Sequence, residues 1–286
     1  MVDSPSALPR GFGALNNEEV TRADFERYFP YTPAALCVKE CARLSALRRF
    51  EVRGPILDVG CGDGLFASIA FDDAEVWGID IDADEGRWAA ASQAYTQIIL
   101  GDVTRARLPE SFFATCVANC SLEHVPRIDR ALANIRRSLA PGGRAYLFVP
   151  NKDWARDLLS YRALAMAGLD STAELLRSSV DTFFKHHHLH DQEEWREIVG
   201  AAGLSVVSIE PALSAGTTVA FELFLLPSLA GWANKHMTTR WTNFPPARRL
   251  MARPVHGLVE RILRASSPRL SAEFLIVAER PPRRPE

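Results

Sequence analysis

The segment Asp58-Val59-Gly60-Cys61-Gly62-Asp63-Gly64 carries the most specific chemistry in the chain. A short apolar run enters it at 56–59, and a helical pattern leaves it. Glycines let a backbone turn sharply there and approach a ligand with no Cβ in the way. The nicotinamide fingerprint wants a third glycine three residues after the second. Here Gly64 follows Gly62 by two residues, and Leu65 holds the other place. There is no Gly-Lys-Ser/Thr either, so a nucleoside triphosphate loop is excluded. Asp58, an acid inside the motif, suits a ligand whose nearest part is cationic rather than a pyrophosphate.

Two further acids extend the pattern. Asp80 lies 20 residues after Gly60, at the end of a second apolar run, where a carboxylate can accept both ribose hydroxyls. Asp102 follows a third run and is placed for an adenine amino group, with Val103 against the ring. A nucleoside with a cationic rather than a phosphorylated arm fits this set, and S-adenosylmethionine is the common ligand of that description. A generic tight strand-to-helix turn would explain the glycines alone, but not the two acids with them.

His186, His187, His188 and His190 form a second cluster. In an extended segment His186, His188 and His190 share one side. A base with a pKa near neutrality is useful when a hydroxyl is the acceptor. The candidate catalytic residues are therefore His188 and His190, with His124 from the Glu123-His124 pair. Solvated or structural histidines are the plain alternative. Four histidines also invite a metal, but no nearby cysteine or positioned acid except Asp191 completes a set, so no metal is assigned.

The elements that must position these residues follow from periodicity. Apolar runs at 56–59, 75–80, 97–100, 115–119, 144–149, 204–209 and 273–278 read as strands. Residues 24–50, 127–139 and 192–202 read as helices, the last with a capping box from Asp191 and Glu194. Pro141-Gly142-Gly143 is expected to stop the second. The alternation predicts an α/β fold: a Rossmann-like, seven-stranded, mostly parallel sheet with helices on both faces. The expected organisation is a leader and helical cap over 1–50, a cofactor-binding core over 51–150, a helical insertion over 151–189 and a sheet-completing part over 190–286. The last contains a second helical insertion at 210–272. Both insertions are too long for bare loops and are expected to form a substrate lid. Tyr28, Phe29 and Tyr31 are expected to help build the acceptor pocket.

Composition bounds the partners. The 286 residues are 47% hydrophobic and 24% charged, with net charge −2, so no pull toward nucleic acid is expected. Five cysteines without a Cys-x-x-Cys fit a reducing cytoplasm, and the first 20 residues read as a flexible leader rather than a signal peptide. The stretch 212–233 is too interrupted for a membrane span. Residues 219–226 are strongly apolar, and 235–269 hold eight basic residues and one acid. An apolar wall with a basic rim suits a hydrophobic or anionic acceptor, or peripheral contact with an anionic membrane. A core or homodimer helix with solvated arginines explains the same residues.

The segments 56–67 (ILDVGCGDGLFA), 78–82 (GIDID), 101–103 (GDV) and 119–150 resemble the motifs of class I S-adenosylmethionine-dependent methyltransferases, and more narrowly the group related to ubiquinone and menaquinone methyltransferases. The resemblance covers about residues 50–150, with weaker similarity over 186–209. It implies methyl transfer from S-adenosyl-L-methionine to a small-molecule acceptor, natural-product-like or lipid-like. It also implies a cofactor site of Asp58, Gly60, Cys61, Gly62, Gly64, Asp80, Ile81, Asp82, Asp102, Val103, Asn119 and Cys120. In this group a histidine-containing segment before the 192–202 helix often faces the acceptor. A catalytically silent cofactor-binding or scaffold protein on the same fold is the alternative, and the intact loop and acids argue against it.

Overall fold

The computed structural model describes residues 19–266 and 272–282. The expected leader lies largely outside the described residues. Seven strands form one sheet in the order β3-β2-β1-β4-β5-β7-β6. They are β1 (Ile56–Val59), β2 (Val76–Asp80), β3 (Gln97–Leu100), β4 (Phe113–Asn119), β5 (Leu139–Pro150), β6 (Ser205–Pro211) and β7 (Glu273–Glu279). Strands β1 to β5 are parallel, and β7 runs antiparallel to both β5 and β6. The chain reverses direction of travel between β1 and β4, so the carboxyl ends of β1, β2 and β4 open onto one crevice.

Helices cover both faces. α1 (Arg22–Tyr28) and α2 (Ala34–Leu47) precede the sheet; α3 (Leu65–Ala70) and α4 (Ala83–Ala91) link β1 to β3; α5 (Ile128–Ser138) joins β4 to β5. The 24–50 stretch, expected as one helix, is two, because Pro30 has no N–H to extend α1 past Phe29, and Pro33 then caps α2. Ile128, Leu132 and Ile135 form the expected buried stripe of α5. The helix ends at Ser138, one residue short of the expected bound, and before Pro141-Gly142-Gly143 is reached. Those residues are already strand, because the Gly142 N–H donates to the Arg280 carbonyl and the Arg280 N–H to that of Gly143.

The insertion after β5 forms a short 3-10 turn, Trp154–Asp157, then α6 (Leu159–Met166) and α7 (Asp170–Phe184). α8 (Gln192–Ala201) begins with the expected Asp191–Glu194 capping box and buries Trp195 and Val199. After β6 come α9 (Ala215–Leu223), α10 (Leu225–Thr238) and α11 (Pro245–Ala265). α9 packs on α2 and α11, burying Ala220 and Phe221 in the core, whereas Leu226 is exposed. The apolar run is thus part core and part surface. Of the eight basic residues counted across this insertion, six are engaged within the chain. Lys235 pairs with Glu85, Arg253 with Glu26 and Arg264 with Glu260; Arg248 donates to the Phe29 and Thr32 carbonyls, Arg249 to Tyr31, and Arg240 lies over Trp88. Arg269 lies outside the described residues. No helix among the described residues is long and apolar enough to cross a membrane.

Candidate active site

The glycine loop turns at the carboxyl end of β1. Gly60, Gly62 and Gly64 have φ of 74°, 54° and 82°, the left-handed region that side chains resist. At Gly60 a Cβ would stand 2.3 Å from the Ser121 Cβ, so the loop lies directly on the end of β4. At Gly62 a Cβ would meet nothing within 4 Å, so its face is open to a ligand. The Gly62 N–H donates to Asp80 Oδ2 over 2.8 Å, and the Asp82 N–H to Asp80 Oδ1 over 2.9 Å. Asp80 therefore braces the loop from β2. Asp82 caps α4 by accepting from the Asp84 and Glu85 N–H groups, and this is its contact here.

Two depressions meet at Gly60. One, of about 170 Å³, is lined by Asp58, Cys61, Gly62, Asn119 and, from elsewhere, Tyr28, Glu40, Lys235 and Trp241. The other, of about 480 Å³, is lined by Asp80, Ile81, Asp102, Val103, Cys120 and His124. Asp58 is buried and accepts from the Tyr95 hydroxyl at 2.7 Å. Burial pushes its carboxyl up to about 7, with the charges of Asp80 and Glu40 adding to the shift and Tyr95 opposing it. Burial likewise raises Glu40. Asp102 is near the surface, and its carboxylate is held low by the Thr104 N–H. The Tyr28 hydroxyl is buried and has no hydrogen-bond partner among the described residues.

Behind the floor lies a buried polar cluster. Arg43 grips Glu273 with two hydrogen bonds of 2.7 and 2.8 Å, and Lys39 reaches the same carboxylate at 2.8 Å. Burial works against the Glu273 charge, but Arg43 and Lys39 outweigh it and hold the group well below the usual carboxylate range. Arg43 also meets Glu40 and Asn119, and Asn119 donates to Glu40. Lys39 lies over the rings of Trp154 and Phe221, so this cluster joins the sheet to both insertions.

The histidines divide. His124 follows β4 in a 3-10 turn, Leu122–His124, and borders the larger depression. His188 bonds to the Val125 carbonyl, and its ring meets that of His190, which packs edge-on against Trp195. Neither of these two lines either depression. His186 instead stacks on His124 at 5.5 Å, between Trp154 and Phe184. Burial and the neighbouring His124 push its imidazole down to about 4, and burial raises Glu123 to about 8.

Glu40, Tyr95 and Trp241 carry no signal in the sequence, and Lys235 is marked there only as one of the basic residues of 235–269. Each belongs to a helix, a connection or an insertion whose register against the loop is set only by packing.

A family model described as a methyltransferase domain matches residues 28–209. A ubiquinone/menaquinone biosynthesis C-methyltransferase from Burkholderia mallei (strain SAVP1) is 28% identical over 169 residues, 54% of this chain and 68% of that protein. Among solved structures, the [4+2]-cyclase SpnF superposes with a TM-score of 0.53 at 19% identity, covering 85% of this chain and 81% of its own. The geranyl diphosphate C-methyltransferase from Streptomyces coelicolor A3(2) gives 0.52 at 14% identity, covering 84% and 75%. These two likenesses show the fold.

Proposed function

Since the chain belongs to the methyltransferase-domain family and is a class I S-adenosylmethionine-dependent methyltransferase, we propose that it methylates a small, largely hydrophobic acceptor held between its two helical insertions. The observation that carries this reading is that Trp154 and Phe184 of the first insertion pack with Phe221 of the second around Lys39 and His186, largely buried contacts that close the two insertions on one another. An apolar lid of this kind suits a small organic acceptor and excludes water. The engagement of six basic residues within the chain favours such a molecule over an anionic membrane.

The two depressions fit the cofactor. The open face of Gly62 and the Tyr28 hydroxyl, without a hydrogen-bond partner among the described residues, are the features a ligand would use. Asp58, the Gly60–Gly64 loop and Tyr28 would hold the methionine arm. Asp80 would take the ribose, and Ile81, Asp102 and Val103 the adenine. When bound, the cofactor supplies a methyl group on a sulfonium, already activated for in-line displacement. The chain then has to align the acceptor and exclude water. Of the three candidate catalytic histidines we place His124 nearest the bound cofactor, because it alone borders a depression that would hold it.

Incubation with methyl-labelled S-adenosylmethionine and a panel of quinols, phenols and prenylated acids tests the acceptor class. Labelled product from at least one of these is expected. A protein that binds the cofactor yet labels only small polar amines would sink the proposed class.

A further inference from the structure

Glu123, His124 and His186 each offer one ligand atom, and these atoms lie within 4.8 Å of one another. The Glu123 side chain is 3% exposed, and its Oε2 has no hydrogen-bond partner among the described residues. The His186 side chain is 8% exposed; its Nδ1 lies 3.8 Å from Asp181 Oδ1 and has no hydrogen-bond partner among the described residues. Buried polar atoms are nearly always paired, and leaving them unpaired is destabilising. His124 Nδ1 lies 3.2 Å from the Lys185 carbonyl. With the N–H donating there, Nε2 keeps its lone pair, 3.8 Å from Glu123 Oε1. Metal-binding histidines are commonly fixed in one tautomer by such a bond. The N–H groups of His187 and His188 both donate to the Glu123 carbonyl, which fastens the histidine segment onto the turn that carries the acid.

We propose that Glu123, His124 and His186 bind one divalent transition-metal ion of the Zn2+ type, leaving coordination positions for water or an acceptor oxygen. Two imidazoles and a carboxylate suit Zn2+ or Co2+, whereas Mg2+ and Ca2+ take oxygen ligands. Three protein ligands are the usual number where a position stays open. At bond lengths near 2.1 Å, tetrahedral ligand atoms stand about 3.4 Å apart, so modest side-chain rotation closes the set onto an ion. An open depression lined by Arg177, Asp181, Lys185 and His187 reaches His186 from solvent. That an acceptor oxygen fills the open position rests on the methyltransferase reading; the binding of the ion does not.

The test uses the full chain, stripped with a chelator, then titrated with Zn2+ by calorimetry and with Co2+ by its visible d–d absorption. One equivalent of ion is expected, undisturbed by excess Mg2+. Glu123→Gln, His124→Ala and His186→Ala should each weaken uptake at least about tenfold. A variant carrying both His188→Ala and His190→Ala should bind as the wild type does. Circular dichroism checks folding, and if Glu123→Gln fails to fold, His186→Ala decides. No stoichiometric uptake by the wild type, uptake by His186→Ala at wild-type affinity, or loss confined to the 188/190 variant would each overturn the site. Because the readout is metal uptake, failure here leaves the methyltransferase assignment standing.

Discussion

The Tyr95 hydroxyl donates to Asp58 Oδ2 at 2.7 Å, tying the connection before β3 to the acid at the end of β1. This bond partly offsets the burial that raises Asp58 to about 7. Because the folded value lies above the unfolded one, the folded apo protein binds the extra proton. Its contribution to stability is complete at low pH and is lost as pH rises through 7. A cationic ligand favours the carboxylate, so S-adenosylmethionine binding should release a proton and tighten by about tenfold from pH 6 to pH 8. Calorimetry in buffers of different ionisation enthalpy reads the proton directly. Asp58→Asn should bind more weakly and lose the pH slope; an unchanged slope in that variant would show that another group titrates.

Gly62→Ala should separate binding from folding. Its φ of 54° makes any side chain strained, at roughly 1–2 kcal/mol, but its Cβ would meet no protein atom. Most of the effect should therefore fall on the ligand, with affinity for S-adenosylmethionine down more than about tenfold and a melting temperature within a few degrees of the wild type. Asp80→Ala should weaken the same affinity while also loosening the loop it braces. Wild-type affinity in both variants would contradict the cofactor placement.

Among the described residues Lys235 is the one cation lining the smaller depression, and there it faces Glu85. The other charged groups lining it are the acids Glu40, Asp58, Asp63 and Glu85. A methionine carboxylate entering this space should draw Lys235 to itself. Lys235→Met is expected to bind S-adenosylhomocysteine about tenfold more weakly, and methylthioadenosine, which lacks the carboxylate, as tightly as the wild type does. Equal losses for both ligands would assign Lys235 to lid packing instead.

Arg43→Met removes the principal partner of buried Glu273 and is expected to cost about 3 kcal/mol in urea denaturation, the lower end of the range for a broken buried pair, because Lys39 remains. Adding Glu273→Gln should recover part of the loss. A single variant as stable as the wild type would mean that Glu273 is protonated or solvated when Arg43 is absent.

The glycine loop and the strand-end acids beside it were legible in the chain. Loop geometry there depends on residues next to one another: Gly60, Gly62 and Gly64 sit where left-handed backbone is needed, and Asp80 and Asp102 sit at strand ends whose order follows from alternation. The capping box at Asp191 and Glu194 was legible for the same reason. Packing decided where the histidines and the second insertion fall. His186, rather than His188 or His190, meets His124 because the left-handed turn at Lys185 and the bonds to the Glu123 carbonyl set the register of that segment. Burial then makes Glu123 and His186 chemically unusual. Lys235 and Trp241 reach the glycine loop only because α9 docks on α2 and carries the rest of its insertion across the crevice. Contacts between distant segments arise from packing, and packing leaves no fixed spacing in the chain to read.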